Sequence, residues 1–130
     1  MYKVYKLNTD MTKEFIDDVE SSMERSEIEF LENLGNDEPV VDFMEDGFNA
    51  CYIICTEYIV EKVKSIFSKY GGTVKDTDIT KEFFYGIIKI DNDMFEQYIY
   101  DNMTKDMVLD KILELGKESL TDLDKEILSL

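Results

Sequence analysis

An almost wholly apolar run, FNACYIIC at residues 48–55, is followed without a linker by the amphipathic segment TEYIVEKVKSIFSKYGG at residues 56–72. A strand that is apolar on both faces is typical of the centre of a sheet that is covered on both sides. In the second segment, Thr56 is a suitable N-cap, and a pair of glycines supplies the C-terminal stop. We therefore predict a central strand followed directly by a helix. The apolar stripe of that helix consists of Ile59, Val63, Ile66, Phe67 and Tyr70.

The N-terminal residues predict a second strand that is followed by a helix. YKVYKL at residues 2–7 alternates in polarity, as a short strand does. Asp10 or Thr12 can cap the helix that follows, and its apolar residues recur in steps of three, four and seven. Ser22 and Ser26 lie near the centre of this stripe, so we expect a break in the helix there. The stripe consists of Phe15, Ile16, Val19, Met23, Phe30, Leu31 and Leu34.

The other patterns in the first ninety residues complete a small sheet. Asp46-Gly47 marks the turn of a β-hairpin between VVDFM and the central strand. TVKDTDI at residues 73–79 alternates and suits an edge strand, residues 80–86 fit either a helical turn or a strand, and the IIKI that follows favours an extended segment. The order β-α-β-β-α-β predicts an α+β body over residues 1–90. It would have a small antiparallel or mixed sheet backed by two helices, as in the ferredoxin-like arrangement.

Residues 91–130 predict helices only. DMFEQYIYDNM at residues 93–103 has a clear apolar side, and the closing stretch predicts a helical hairpin. Gly116 would end the first helix of the hairpin, and Ser119 or Thr121 would cap the second. Helices this short are not stable alone. We therefore expect a C-terminal extension, a helix plus a helical hairpin, that packs on the body or projects from it.

The closing stretch VLDKILELGKESLTDLDKEIL, residues 108–128, resembles the short helix-turn-helix tail of some bacterial rhomboid-family membrane proteins and of other small bacterial proteins. The rest of the chain has neither membrane helices nor a serine protease motif. The resemblance implies a bacterial or bacteriophage source and a small docking element, and it implies no activity. The matching residues are Val108, Leu109, Lys111, Ile112, Gly116, Ser119, Leu120, Thr121, Lys125 and Leu128.

The charge of the chain disfavours two classes of partner. The formal net charge is −16, from 30 acidic and 14 basic residues, and the acids are concentrated towards both ends. Phosphate contacts need clustered Lys and Arg, so direct binding to nucleic acid or to an anionic membrane is disfavoured. A basic protein partner is favoured by long-range attraction, and a homo-oligomer is also compatible. No stretch approaches 18 uncharged apolar residues, so we predict no membrane span.

The two cysteines predict the compartment. Cys51 and Cys55 are four residues apart in the central strand, which separates them by about 13 Å along one face. This distance is too long for a disulfide. Reduced thiols and an N-terminus without a signal-peptide pattern predict a cytoplasmic location.

The chain lacks the residues that most enzyme active sites use. The chain has no histidine, which removes the commonest general base and metal ligand at neutral pH. It also has no phosphate-binding glycine motif, so we expect neither an enzyme nor a cofactor. Asp76, Asp78 and Thr80 have the first spacings of a calcium loop, but Lys81 stands where glycine is required. A solvated acidic loop without a metal is therefore the expected interpretation.

Two hypotheses of function remain. The first is a non-enzymatic interaction protein that binds a partner through exposed apolar positions of the hairpin, such as Leu123 and Ile127, and the acidic surface around them. The second is an inhibitor or DNA mimic, of the anti-defence or immunity type, that blocks the basic cleft of a nucleic-acid-binding enzyme. Its row of carboxylates would be Glu24, Glu27, Glu29 and Glu32, for which an ordinary solvated helix face is the alternative.

Aromatic residues leave a similar choice open. The chain has eight tyrosines and eight phenylalanines but no tryptophan. Tyr98 and Tyr100, or the run from Phe83 to Tyr85, could form an exposed contact patch, because tyrosine is enriched at interfaces. The more ordinary expectation is that these side chains fill the core.

Overall fold

The computed structural model defines residues 2–9, 13–33, 40–43 and 50–129, and for residues 13–16 and 40–43 it defines the backbone only. The chain divides into two compact units, the first ending at Thr80 and the second beginning at Lys81. This division lies earlier in the chain than the predicted boundary after residue 90. Within the described residues, the protein is of the α+β class with a small antiparallel sheet.

The first unit contains the whole of the described sheet. Its strands pair antiparallel throughout, in the order β2-β3-β1-β4, so that β1 and β3 are central and β4 is an edge strand. The predicted central and edge strands are thereby confirmed. The elements are β1 (Lys3–Thr9), α1 (Lys13–Glu20), α2 (Arg25–Asn33), β2 (Val40–Phe43), β3 (Ala50–Cys55), α3 (Glu57–Lys69) and β4 (Val74–Asp78).

The core of the first unit forms where α3 covers one face of the two central strands. Tyr5 and Leu7 lie on the same face of β1 and belong to the same buried cluster as Ile53. The Ile53 side chain has no solvent exposure. Val60 and Val63 of α3 belong to the same buried cluster. Val63 confirms the predicted orientation of the helix, while Val60 is a core residue that the predicted stripe did not include.

Several other expectations about the first unit can be compared with the structure. The long N-terminal helix is divided at the expected place, because α1 ends at Glu20 and a turn leads into α2. Thr56 lies at the N-cap of α3, although its side chain makes no capping hydrogen bond. The predicted caps Asp10 and Thr12, the hairpin turn at residues 46–47 and the side chains of Phe15 and Ile16 lie outside the described residues.

The second unit is helical in its described residues. A buried aromatic cluster joins its first helices, with Phe83 and Phe95 edge to face at 6.0 Å between ring centroids. The ambiguous residues 80–86 begin with a helix, and the IIKI segment after them belongs to no strand. The elements are α4 (Thr80–Phe84), which starts at the end of the first unit, α5 (Asp93–Asn102), α6 (Lys105–Leu115), a 3₁₀ turn (Lys117–Ser119) and α7 (Asp122–Leu128).

The aromatic run from Phe83 to Tyr85 forms core rather than a contact patch. All three side chains are buried, and Phe84 packs against Tyr98 at 5.9 Å between ring centroids. Tyr100, two residues after Tyr98 on α5, is 60% exposed. Burial of Phe83, Phe84 and Tyr85 is favourable because each aromatic side chain has a large apolar area.

The substitution Val63→Asp should unfold the first unit. Val63 is 3% exposed in the core cluster, and an uncompensated buried charge costs about 3–5 kcal/mol, a large part of the usual stability of a domain. Thermal melting followed by circular dichroism measures the loss. Ser65→Asp is the matched control, because it adds the same charge to an exposed position of the same helix. A Val63→Asp variant with an unchanged melting point would contradict the orientation of α3.

Candidate functional site

The helical hairpin formed by α6 and α7 has well-defined helix ends. Thr104 caps α6, because its hydroxyl accepts a hydrogen bond from the Met107 backbone N–H at 3.2 Å. Gly116 ends α6 at a φ of +85°, a conformation that a residue with a side chain rarely adopts. Thr121 then caps α7 in a reciprocal capping box with Asp124. Of the two predicted caps, Thr121 is the one that the structure uses.

A buried ion pair connects the two helices of the hairpin. The Lys111 ammonium on α6 donates to Oδ2 of Asp124 on α7 at 2.6 Å, and the two side chains are 2% and 1% exposed. The same Oδ2 accepts the backbone N–H of Thr121 at 2.9 Å. The Asp124 carboxylate therefore both caps α7 and holds it against α6.

The sequence interpretation missed this ion pair. Asp124 was not among the candidate site residues that the sequence pattern indicated. Two signals could have revealed the pair. Lys111 follows Val108 by three residues, so it lies on the inner face of α6 in a stripe that is otherwise apolar. Thr121 and Asp124 have the spacing of a capping box, which turns the carboxylate back towards the hairpin.

The surroundings of Asp124 have opposing effects on its pKa. Burial raises the pKa of the carboxyl, but the hydrogen bonds from Lys111 and from the Thr121 backbone, together with the Lys111 charge, lower it more. The net result is a pKa below the ordinary value of an aspartate. The carboxylate is thus held in its charged form, as the ion pair requires.

The outer face of α6 carries exposed leucines. Leu113 is 84% exposed and Leu109 is 49% exposed. Because they are four residues apart, they lie on one face of the helix on adjacent turns. Asp106 and Asp110 flank them and are exposed. We call these four residues the leucine face.

The structure places Leu123 and Ile127 on the inner side of the hairpin. Ile127 is 8% exposed, so the expectation that it is an exposed apolar position is wrong. Its place on α7, three residues after Asp124, turns it inwards with the ion pair. Leu123 is partly buried, and both residues line a hollow of about 290 Å³ together with Tyr100 and Met103. Their role in binding stays a prediction.

The predicted row of carboxylates on α2 is largely engaged within the first unit. Glu27 accepts a hydrogen bond from the Tyr70 hydroxyl at 2.5 Å and pairs with Lys69 at 3.3 Å. These bonds, with that of Tyr70 the strongest, lower the pKa of Glu27. Glu24 is 3.5 Å from the Lys69 ammonium, and Glu32 is exposed. The role of Glu24, Glu27 and Glu32 as a surface for a basic partner stays a prediction.

Comparisons with protein-family models, with curated proteins and with solved structures found no match to this chain. The resemblance of the hairpin to the rhomboid-family tail therefore stays a prediction. Among the described residues, no helix combines the length and apolar character that crossing a bilayer requires. The same part of the chain contains no group of three or more Cys, Asp or Glu side chains placed to hold a metal ion.

Breaking the ion pair from one side should destabilise the second unit strongly. Lys111→Met leaves the Asp124 carboxylate buried without its cation, which should cost about 3–5 kcal/mol. Asp124→Asn removes the other charge while keeping an oxygen for the Thr121 N–H. The double variant should lose less than the sum of the two single losses, by about 1 kcal/mol or more. Urea denaturation of all four proteins measures this coupling, and strict additivity would contradict a direct ion pair.

The lowered pKa of Asp124 should make stability depend on pH in the acid range. Its folded pKa lies below the unfolded value of about 3.9, so the unfolded state binds more protons there and stability rises with pH. The contribution is present above about pH 4 and is lost as the pH falls through the folded pKa.

The measurement is the free energy of unfolding at pH 5 and at pH 3. Between these values, wild type should lose more stability than Asp124→Asn. Asp122→Asn controls for the loss of one negative charge, since it removes an exposed carboxylate from the same helix. Equal losses in wild type and in Asp124→Asn would show that Asp124 is not held in its charged form by folding.

Proposed function

We propose that this chain is a non-enzymatic interaction protein that binds a protein partner through the leucine face of α6. The observation that carries the proposal is the 84% exposure of Leu113 beside Leu109 on one side of a helix whose other side is buried. Single exposed apolar residues are normal on protein surfaces. Two leucines on adjacent turns form a continuous patch, which is the usual way in which one helix contacts another.

Two acids beside the leucines favour a basic partner, while Lys105, one turn before Leu109 on the same face, is an exposed base. Asp106 and Asp110 flank the patch, and among the described residues neither takes part in an ion pair that the structure records. The third nearby acid, Glu114, pairs with Lys81 at 2.6 Å. A fitting partner is therefore a basic amphipathic helix with two apolar side chains on adjacent turns and Lys or Arg beside them.

The proposal extends to the setting of the protein. Cys51 and Cys55 carry thiols and not a disulfide, which supports a reducing compartment such as the cytoplasm. The proposed bacterial or bacteriophage origin rests on the sequence likeness of residues 108–128 to the bacterial tail. On this proposal the second unit supplies the docking element.

We also propose that the first unit is a variant of the ferredoxin-like fold. In that fold, each β-α-β unit is split by a strand inserted between its two strands. Two features of the sheet support the assignment. β3 lies between β1 and β2, and β1 lies between β3 and β4, with antiparallel pairing. The division of the first helix into α1 and α2 is the departure from the simple pattern.

The alternative of a DNA mimic has less support. A mimic needs carboxylates that are available to a basic cleft. Glu27 is 12% exposed at its side chain and is already bonded to Tyr70 and Lys69, and Glu24 shares the same lysine. These intramolecular bonds favour a role in joining α2 to α3.

Replacing the two leucines of the leucine face should abolish partner binding with little loss of stability. Leu109→Gln with Leu113→Gln keeps good helix formers at exposed positions, so the unfolding free energy should change by about 1 kcal/mol or less. The measurement is a pull-down from lysate of the source cell, with parallel washes at low and high salt. Wild type should retain a partner through the high-salt wash, and the double variant should not.

Two controls make the result specific. Tyr58→Gln removes an apolar side chain that is 70% exposed on α3 and should leave binding unchanged. Glu24→Gln with Glu32→Gln tests the acidic surface of α2. A partner that is lost between about 50 and 200 mM salt, and only in this second variant, would favour mimicry of nucleic acid instead.

A further inference from the structure

A cavity of about 250 Å³ lies in the second unit, and all of its lining residues belong to that unit. Its walls are mainly apolar, and they come from α4, α5, α6, α7 and the segment between α4 and α5. Lys89 and Glu96 also line the cavity and are exposed, so it reaches solvent on their side. The apolar walls include Phe84, Ile90, Ile99 and Leu123.

The polar end of the cavity is the buried ion pair. Lys111 and Asp124 both line it, and both are nine-tenths buried or more. Oδ2 of Asp124 accepts from Lys111 and from Thr121, but Oδ1 is buried and has no hydrogen-bond partner among the described residues. A buried carboxylate oxygen without a donor costs free energy. The site is therefore one hydrogen-bond donor short.

We propose that this cavity binds a small neutral ligand with a compact apolar body and one hydroxyl group, such as a phenol or a short alcohol. The hydroxyl donates to Oδ1 of Asp124 and, because a hydroxyl also accepts, it can face the Lys111 ammonium. The ligand is neutral because Lys111 already balances the charge of Asp124. An apolar cavity of about 150 Å³ can hold benzene, so the volume suffices for such a body.

Phenol is the probe, and the test is a titration of the full-length chain followed by NMR of its backbone amides. Phenol should cause saturable shifts at residues around the cavity, such as Gly86, Ile99 and Thr121. Anisole has the same ring but no donor, and it should bind about tenfold more weakly or worse, since a hydrogen bond to a charged group is lost. This comparison requires no variant of the protein.

A filled cavity gives the second test. Leu123→Phe places a larger side chain at the wall and should weaken phenol binding about tenfold or more, whereas Leu115→Phe adds the same bulk to an exposed position of α6. The proposal is overturned if phenol gives no saturable shifts, as expected of a cavity that holds only water. It is equally overturned if anisole binds as well as phenol, or if Leu123→Phe binds phenol like wild type.

Discussion

The second unit depends on the carboxylate of Asp124. Its helices have between five and eleven residues, which is too short for a stable helix in isolation. α7, with seven residues, begins at Thr121 through a backbone bond to the same oxygen that receives the Lys111 ammonium. The same carboxylate oxygen therefore takes part both in the N-terminal cap of α7 and in its contact with α6. A buried ion pair contributes little net stability compared with apolar packing, but the loss of one partner is strongly destabilising because it leaves the other charge buried and unpaired.

The same ion pair decides which side of α6 remains available. Lys111 is oriented inwards with Val108, so the helical period orients Leu109 and Leu113 outwards. If Leu109 or Leu113 took the buried position of Lys111, the Asp124 carboxylate would lose its cation. The exposure of Leu113 thus accompanies the burial of Lys111 on the opposite side of the helix.

Much of the fold could be predicted because its signals are local. The apolar stripe of α3, the edge strand β4, the break between α1 and α2 and the cap at Thr121 all depend on residues close in sequence. The expected exposure of Ile127 as a docking residue was wrong, because the apolar stripe of a seven-residue helix does not say which neighbour covers it. Lys111 and Asp124 escaped prediction because two charged residues are expected at a surface. Only their common burial, 13 residues apart in sequence, makes them a pair.

The candidate site was less predictable than the fold because net charge does not show how acids are used. The formal net charge of −16 suggested an acidic surface for a basic partner. In the described residues, Glu27 joins α2 to α3 through Lys69 and Tyr70, and Asp124 joins α7 to α6. Such carboxylates already have cations or donors, so they offer little attraction to a partner. Acids beside exposed apolar side chains act differently, because docking of the apolar groups brings a partner's cations close and excludes water. If the proposed function holds, Asp106 and Asp110 beside Leu109 and Leu113 would form a more selective surface than the larger number of acids elsewhere.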